Sequence, residues 1–350
     1  MKRILLFIIA LMLVFSLVSC DLFRPSSDTT ADDDGGDFPV PPSPAQTVKE
    51  DGLTFHLAAN GKGYILTKAD VGPTEYVVPS KIVGLPVVEI ASGAFKDNTV
   101  LKKVTLPDSI EVMNRGIFEG CKNIEEMTLP YIASKAGEIN SNATTCIGYY
   151  FTQGEHPTPF LDWVRSAAGS GDHRVEYWIP AKLTRLTVEG GPLGEYTFSG
   201  AALTEVHLGQ GVRFVSAHVF AQKSDLERVT FATPITSIGT EAFWNCHNLK
   251  SVALTGETLW IGKDAFSNCY DLEWVVLSGG TTSIGNFAFD DCSDLAKIYY
   301  LGTAEGFENI DIGTFNDDFL EAELFIYSEA APDEEGNFWH YDEAGNPVEW

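Results

Sequence analysis

Apolar residues return along this chain with a fixed step. Phe220, Phe243, Phe266 and Phe289 are each 23 residues apart, and so are Leu226, Leu249, Leu272 and Leu295. Earlier, Phe95 and Phe118 keep the same step, as do Leu101 and Ile124. Three successive stretches show the unit plainly: SIGTEAFWNCHNLKSVAL, WIGKDAFSNCYDLEWVVL and SIGNFAFDDCSDLAKIYY. Periods of roughly 20–50 residues mark stacked supersecondary units, each unable to bury its apolar face alone.

Within one unit the apolar set is Leu249, Val252, Leu254, Ile261, Ala265, Phe266 and Cys269. Val252 and Leu254 flank Ala253, an alternation that predicts a short strand with Ala253 facing outward. Gly262 is expected to serve a turn at no side-chain cost. Ala265 and Phe266 are expected to drive one large ring into the interior. Cys121, Cys246, Cys269 and Cys292 each follow a column phenylalanine by three residues. They read as small buried residues stacked between coils. The close Cys/His pairs of a zinc site are absent. Disulfides between adjacent coils remain geometrically open, although three stacked cysteines leave one unpaired. The predicted class is α/β, a solenoid of ~23-residue coils. Each coil is a short strand with an irregular or short helical return, so the fold is mostly strand and loop between capping segments.

The ends depart from the repeat. Met1, Lys2 and Arg3 precede an apolar run from Ile4 to Val18. Such a run is short for a membrane span of about 20 residues and has the shape of a secretory leader. Residues 1–19 are therefore expected to be a signal peptide. Leu17-Val18-Ser19-Cys20 resembles the bacterial lipobox, which makes Cys20 the expected lipidation site. Residues 20–47 are rich in Ser, Thr, Asp, Gly and Pro and predict a flexible tether. Residues 48–90 form the expected N-terminal cap, with a hairpin turning at Asn60-Gly61. The solenoid is expected over 91–327, interrupted by an insertion at about 131–178. Residues 328–350 close it as an acidic cap, since no Lys or Arg follows Lys297.

The repeated unit, LxxVxL followed by IGxxAFxxCxxL, resembles the bacterial BspA-type leucine-rich repeat, also called the Treponema-type repeat. Pro107 after Leu106 and Pro130 after Leu129 match its Leu-Pro turn. The resemblance covers about residues 53–350. It implies a cell-surface or secreted protein. Some members of that family are adhesins, and the family supplies no catalytic residues to carry over.

The full chain of 350 residues carries a formal net charge of −26. That excludes nucleic acid, whose phosphates require Lys and Arg, and electrostatic docking on anionic lipid. The seven histidines are scattered, and no phosphate-binding loop, nucleophile elbow or zinc-binding helix motif occurs. No cofactor, metal or catalytic residue is expected. In such a coil the residues flanking the strand valines face the concave side, which gives two ladders. One runs Lys103, Glu126, Arg185, Glu205, Arg228, Ser251, Trp274, Lys297; the other runs Thr105, Thr128, Thr187, His207, Thr230, Ala253, Val276, Tyr299. Trp, Tyr and Arg anchor interfaces, so Trp274, Val276 and Tyr299, with Arg228 and Lys297 beside them, form the expected recognition patch; the alternatives are that threonine and aromatics here merely suit strands, or that the acidic tail folds over them. Its expected partner is an extracellular protein or glycan. The expected place is the cell envelope, facing outward, with the membrane reached through the lipid on Cys20. A scaffold without a specific ligand is the alternative.

Overall fold

The computed structural model describes residues 46–136, 146–153, 163–168, 175–198, 200–257, 259–333 and 335–350. The leader, Cys20, nearly all of the tether and much of the 131–178 insertion lie outside the described residues. From Pro44 onward the chain forms one unit.

Each coil contributes one strand to a wide sheet of 12 strands among the described residues. It begins at Glu75–Val77 and passes through Lys103–Thr105, Glu126–Leu129, Arg185–Val188, Glu205–Leu208 and Arg228–Phe231. Ser251–Leu254, Trp274–Leu277, Lys297–Tyr300 and Glu323–Tyr327 continue it. These strands pair parallel and in register: Glu126 faces Arg185, Arg185 faces Glu205, and Val276 faces Tyr299. The first ladder read from the sequence is thus a row of register partners throughout, and the second is one on either side of a gap between Thr230 and Ala253. The return path is more regular than expected. From residue 214 to 312 it carries a second parallel strand, giving a narrow sheet of five strands from Phe214–Val215 to Asp311–Ile312. Helix among the described residues is limited to short turns such as Ala304–Glu308 and Asp317–Glu321.

The interior is a column of rings. Phe198, Phe220, Phe243, Phe266 and Phe289 stack with centroids 4.8 to 5.1 Å apart. All five are fully buried. Upstream, Tyr76 sets its edge against Phe95, and Phe118 follows at 5.1 Å. The insertion returns a ring of its own to this file, because Phe151 lies 5.8 Å from Phe118. At the far end Phe319, not Phe315, extends the column, 4.8 Å from Phe289. Phe315 is 57% exposed and stacks outside on Phe287.

Gly262 has a different role from the expected one. Its φ is not positive. A Cβ there would lie 2.6 Å from the Thr240 backbone nitrogen, and one at Gly285 would lie 2.6 Å from that of Lys263. Glycine is required because neighbouring coils touch backbone to backbone. The left-handed turns fall instead two residues before and two after each column phenylalanine, at Glu241 and Asn245 (φ 53° and 59°) and at Asp264 and Asn268 (φ 53° and 61°). Asn and Asp tolerate that conformation better than most residues, which explains Asn245, Asp264 and Asn268; Glu241 has no such preference, nor have Tyr196, Gln222 and Phe287 at the same places in other coils.

Cys121, Cys246, Cys269 and Cys292 form no disulfide and are buried. Each column thiol donates to the carbonyl of the phenylalanine one coil back: Cys121 to Phe95 at 2.9 Å, Cys246 to Phe220 at 3.2 Å, Cys269 to Phe243 at 3.3 Å and Cys292 to Phe266 at 3.2 Å. A small side chain with one weak donor suits this slot between coils. Burial pushes the Cys121 and Cys246 thiols up to about 12.

The ends are closed differently. At the start, Leu53–Leu57 and Tyr64–Ala69 form the antiparallel hairpin read from the sequence, and Phe55, Tyr64 and Leu66 seal the first coil. A preceding strand, Thr47–Glu50, joins its edge and reaches one residue into the expected tether. At the other end Phe338–Tyr341 adds parallel to Glu323–Tyr327, and Pro347–Glu349 returns antiparallel beside it.

Candidate functional site

The outward side chains of the wide sheet form the face expected to be concave. Valine and leucine at alternate positions point into the core, so the residues between them must point out. At Lys103, Glu126 and Arg185 this row is an ion-pair chain. Glu126 accepts from Lys103 Nζ at 2.8 Å and from Arg185 Nη2 at 2.8 Å and Nε at 3.1 Å. Hydrogen bonds from Lys103 and Arg185 hold its carboxyl below the usual carboxylate range, and Glu126 raises both cations in return.

Beyond Arg185 the row opens. Glu205, His207, Arg228 and Thr230 are exposed. His207 Nδ1 lies 2.7 Å from Thr230 Oγ1. Arg228 faces Glu205 in register, yet forms no ion pair among the described residues. With Arg185, these side chains line a shallow hollow of about 160 Å³. An uncommitted guanidinium beside an imidazole and hydroxyls can take carboxylate, carbonyl or hydroxyl groups from a partner surface.

The expected recognition patch is not a free surface. Val276 is fully buried and Tyr299 is 5% exposed. Both lie in a cluster with Phe325 and Trp339, against which Trp274, Tyr327 and Tyr341 pack. The chain's own last residues supply the cover. Trp339 sits 5.3 Å from the Tyr299 ring and donates from Nε1 to the Tyr300 carbonyl at 3.2 Å. Glu349 binds Lys297 Nζ at 2.5 Å and accepts from the Tyr299 hydroxyl at 3.0 Å. The bond from Lys297 lowers the Glu349 carboxyl, while burial and then Glu349 raise the Tyr299 phenol. Arg228 is not beside these residues either. Ser251 lies between it and Trp274 in the register, so two strand spacings, about 10 Å, separate them.

Of the five predicted residues, then, Arg228 alone stands on the open part of the face. The hollow formed by Arg185, Glu205, His207 and Arg228 was not singled out in the sequence, although its residues lie on the two ladders. The signal for the cover was available. Val276, Tyr299 and Phe325 make three successive outward positions apolar, and such a row calls for a lid.

Among the described residues no group of three or more His, Cys, Asp or Glu converges on a metal-sized site. No described helix is long and apolar enough to cross a membrane.

Comparison with known proteins gives the following. The chain is similar to a Treponema pallidum leucine-rich repeat protein at 19% identity, over 76% of this chain and 85% of that one, with a TM-score of 0.27. It is similar to a leucine-rich cell surface protein of Faecalibacterium prausnitzii at 16% identity, over 77% and 98%, with a TM-score of 0.26. The pneumococcal vaccine antigen PcpA matches at 14% identity over 81% and 94%, with a TM-score of 0.34. No curated protein matches the chain. The sequence model of the BspA type leucine-rich repeat region matches six copies, over residues 80–147 and 192–319. These residues are more than half of the chain and hold most of the column phenylalanines, the buried thiols and the glycine contacts, and the chain belongs to the BspA-type leucine-rich repeat family.

Proposed function

We propose that this protein is a lipid-anchored, outward-facing component of the bacterial cell envelope. It acts as a non-catalytic, adhesin-like binding module for an extracellular protein or glycan. The partner docks on the open stretch of the concave face between Lys103 and Thr230. The observation that carries this is the row of exposed Arg185, Glu205, His207 and Arg228, where Arg228 lacks an ion-pair partner among the described residues. Arg is among the residues that most often dominate binding energy. The chain is strongly acidic overall, so two exposed arginines on one sheet are a local exception suited to an acidic or hydroxyl-rich partner. Membership of a family whose F. prausnitzii relative is described as a cell surface protein supports the location, and the lipobox-like Cys20 supports the anchor.

The test is saturable binding to a panel of extracellular matrix proteins and envelope glycans. Arg228→Glu with His207→Ala should weaken any such binding at least about tenfold, since Arg anchors cost 2 kcal/mol or more when lost. Binding across the panel that never saturates would favour the scaffold alternative. Metabolic labelling with a fatty acid, lost in Cys20→Ala, tests the anchor.

A further inference from the structure

One coil breaks the buried-thiol column with a lysine. Lys223 follows Phe220 by three residues, the place held by Cys246, Cys269 and Cys292 in the next three coils. A thiol in that slot bonds the preceding phenylalanine carbonyl; Lys223 Nζ instead donates to the Ala201 carbonyl at 3.2 Å. An ammonium has three N–H donors, and the described residues offer this one no second acceptor. Among the described residues no carboxylate stands within ion-pair distance of it. The side chain is half-buried, and a buried cation without an anion is costly.

Lys223 opens on a cavity of about 300 Å³, at the small end of the range for ligand pockets. The cavity lies in the loops that join the narrow sheet to the wide one, away from the concave face. Its walls explain its existence. Gly200 stands where the following coils carry Gln222 and Asn245, so the space is unfilled there. Ala221, Val219 and Trp244 supply its apolar lining. Tyr196 and His218, which also line it, stack at 5.1 Å with planes 6° apart. Glu241, the acid that lines the cavity, stands 3.3 Å from His218 Nδ1 and is offset by it only where the imidazole is protonated.

We propose that this cavity is a binding site for a small organic carboxylate, with the carboxylate on Lys223 Nζ and the ligand's ring against the Trp244 wall. The ligand supplies the acceptor and the counter-charge that the protein leaves out, and the flat walls suit a single aromatic or sugar ring. Burial, outweighing the nearby Asp225 and Cys246, pushes the Lys223 amine down to about 8. The other titratable groups facing the cavity are His218, Glu241 and Tyr196. Binding therefore requires protonated Lys223 and fades as pH rises past about 8, not past the ordinary lysine range near 10.5.

The test is calorimetry or ligand-observed NMR on the full-length chain with benzoate and glucuronate, set against glucose and inorganic phosphate. The expected result is saturable binding of at least one carboxylate at millimolar or lower concentration, with glucose inert and phosphate at least about tenfold weaker. Affinity should fall about tenfold per pH unit between pH 8.5 and 10 as the ammonium is lost. Lys223→Cys restores the column residue and should abolish binding while circular dichroism and melting stay at or above wild type; Lys223→Met should do the same without a thiol. The proposal is overturned if neither carboxylate saturates, if phosphate binds as well, if affinity is flat from pH 7 to 10, or if both variants keep it.

Discussion

From Lys103 to Thr230 the outward positions of the wide sheet carry polar side chains that meet solvent; from Val276 to Phe325 the same positions carry apolar groups that the last thirteen residues cover. The strands pair parallel and in register in both regions. The difference lies in what stacks outside. In the first region charge chains such as Lys103–Glu126–Arg185 occupy the face without closing it. In the second, the hairpin of Phe338–Tyr341 and Pro347–Glu349 lies across Tyr299 and Val276, and the face becomes a second small core. The outer face of the wide sheet thus stays open only where the protein's own aromatics do not cover it.

The contrast can be broken most strongly at Trp339. Its replacement by Ala removes a fully buried ring and should cost about 3–5 kcal/mol. Hydrogen exchange should then rise in residues 297–327 and stay unchanged in residues 103–129. Equal loss of protection in both regions would show that the cover stabilises the whole rod rather than its own end.

A smaller effect follows acidification. Glu349 has a carboxyl pKa lowered in the folded chain, chiefly by Lys297. Its contribution is present above its ordinary value of 4.5 and is lost as pH falls through the lowered one. The hairpin should loosen in that window, seen as a tryptophan fluorescence change that Glu349→Gln produces already at neutral pH. Glu126 is lowered too, by Lys103 and Arg185, but its loss uncovers nothing. Accordingly, Glu126→Gln should cost at most about 1 kcal/mol in a urea melt. The smallest change in stability belongs to Arg228→Glu, within about 0.5 kcal/mol, because the side chain is exposed and unpaired. A larger loss there would mean that Arg228 is structural and would remove the main support for a binding surface.

Much of this architecture was legible in the spacing of a few residues. The step between Phe243, Phe266 and Phe289 predicted a ring column, and the alternation around Ala253 predicted which residues look outward. These are local patterns repeated, and a parallel in-register stack turns each into a row. Which residue of the acidic end meets which coil was not legible. Nothing in the ladder itself shows that Trp339 will reach Tyr299, forty residues away in sequence and beside it in space. Phe151 joined the column unannounced for the same reason, since the insertion keeps no period by which to place it. Gly262 was misjudged because its demand comes from the coil below, at Thr240, and not from its own φ. The outward apolar residues turn on this same point: the sequence allows either a surface awaiting a partner or one under the acidic tail, and Trp339 and Glu349 lie over Tyr299.

The thiols sealed between coils carry a consequence for measurement. Only the thiolate is nucleophilic, and in closed coils Cys121 and Cys246 are held near 12. Alkylation at neutral pH therefore proceeds through opened coils alone. Cys121 reports on the region near the N-terminal hairpin and Cys292 on the region beside the C-terminal cover. The order in which these sulfurs take up label dates the separation of each rung, so the molecule carries its own clock for fraying from either end.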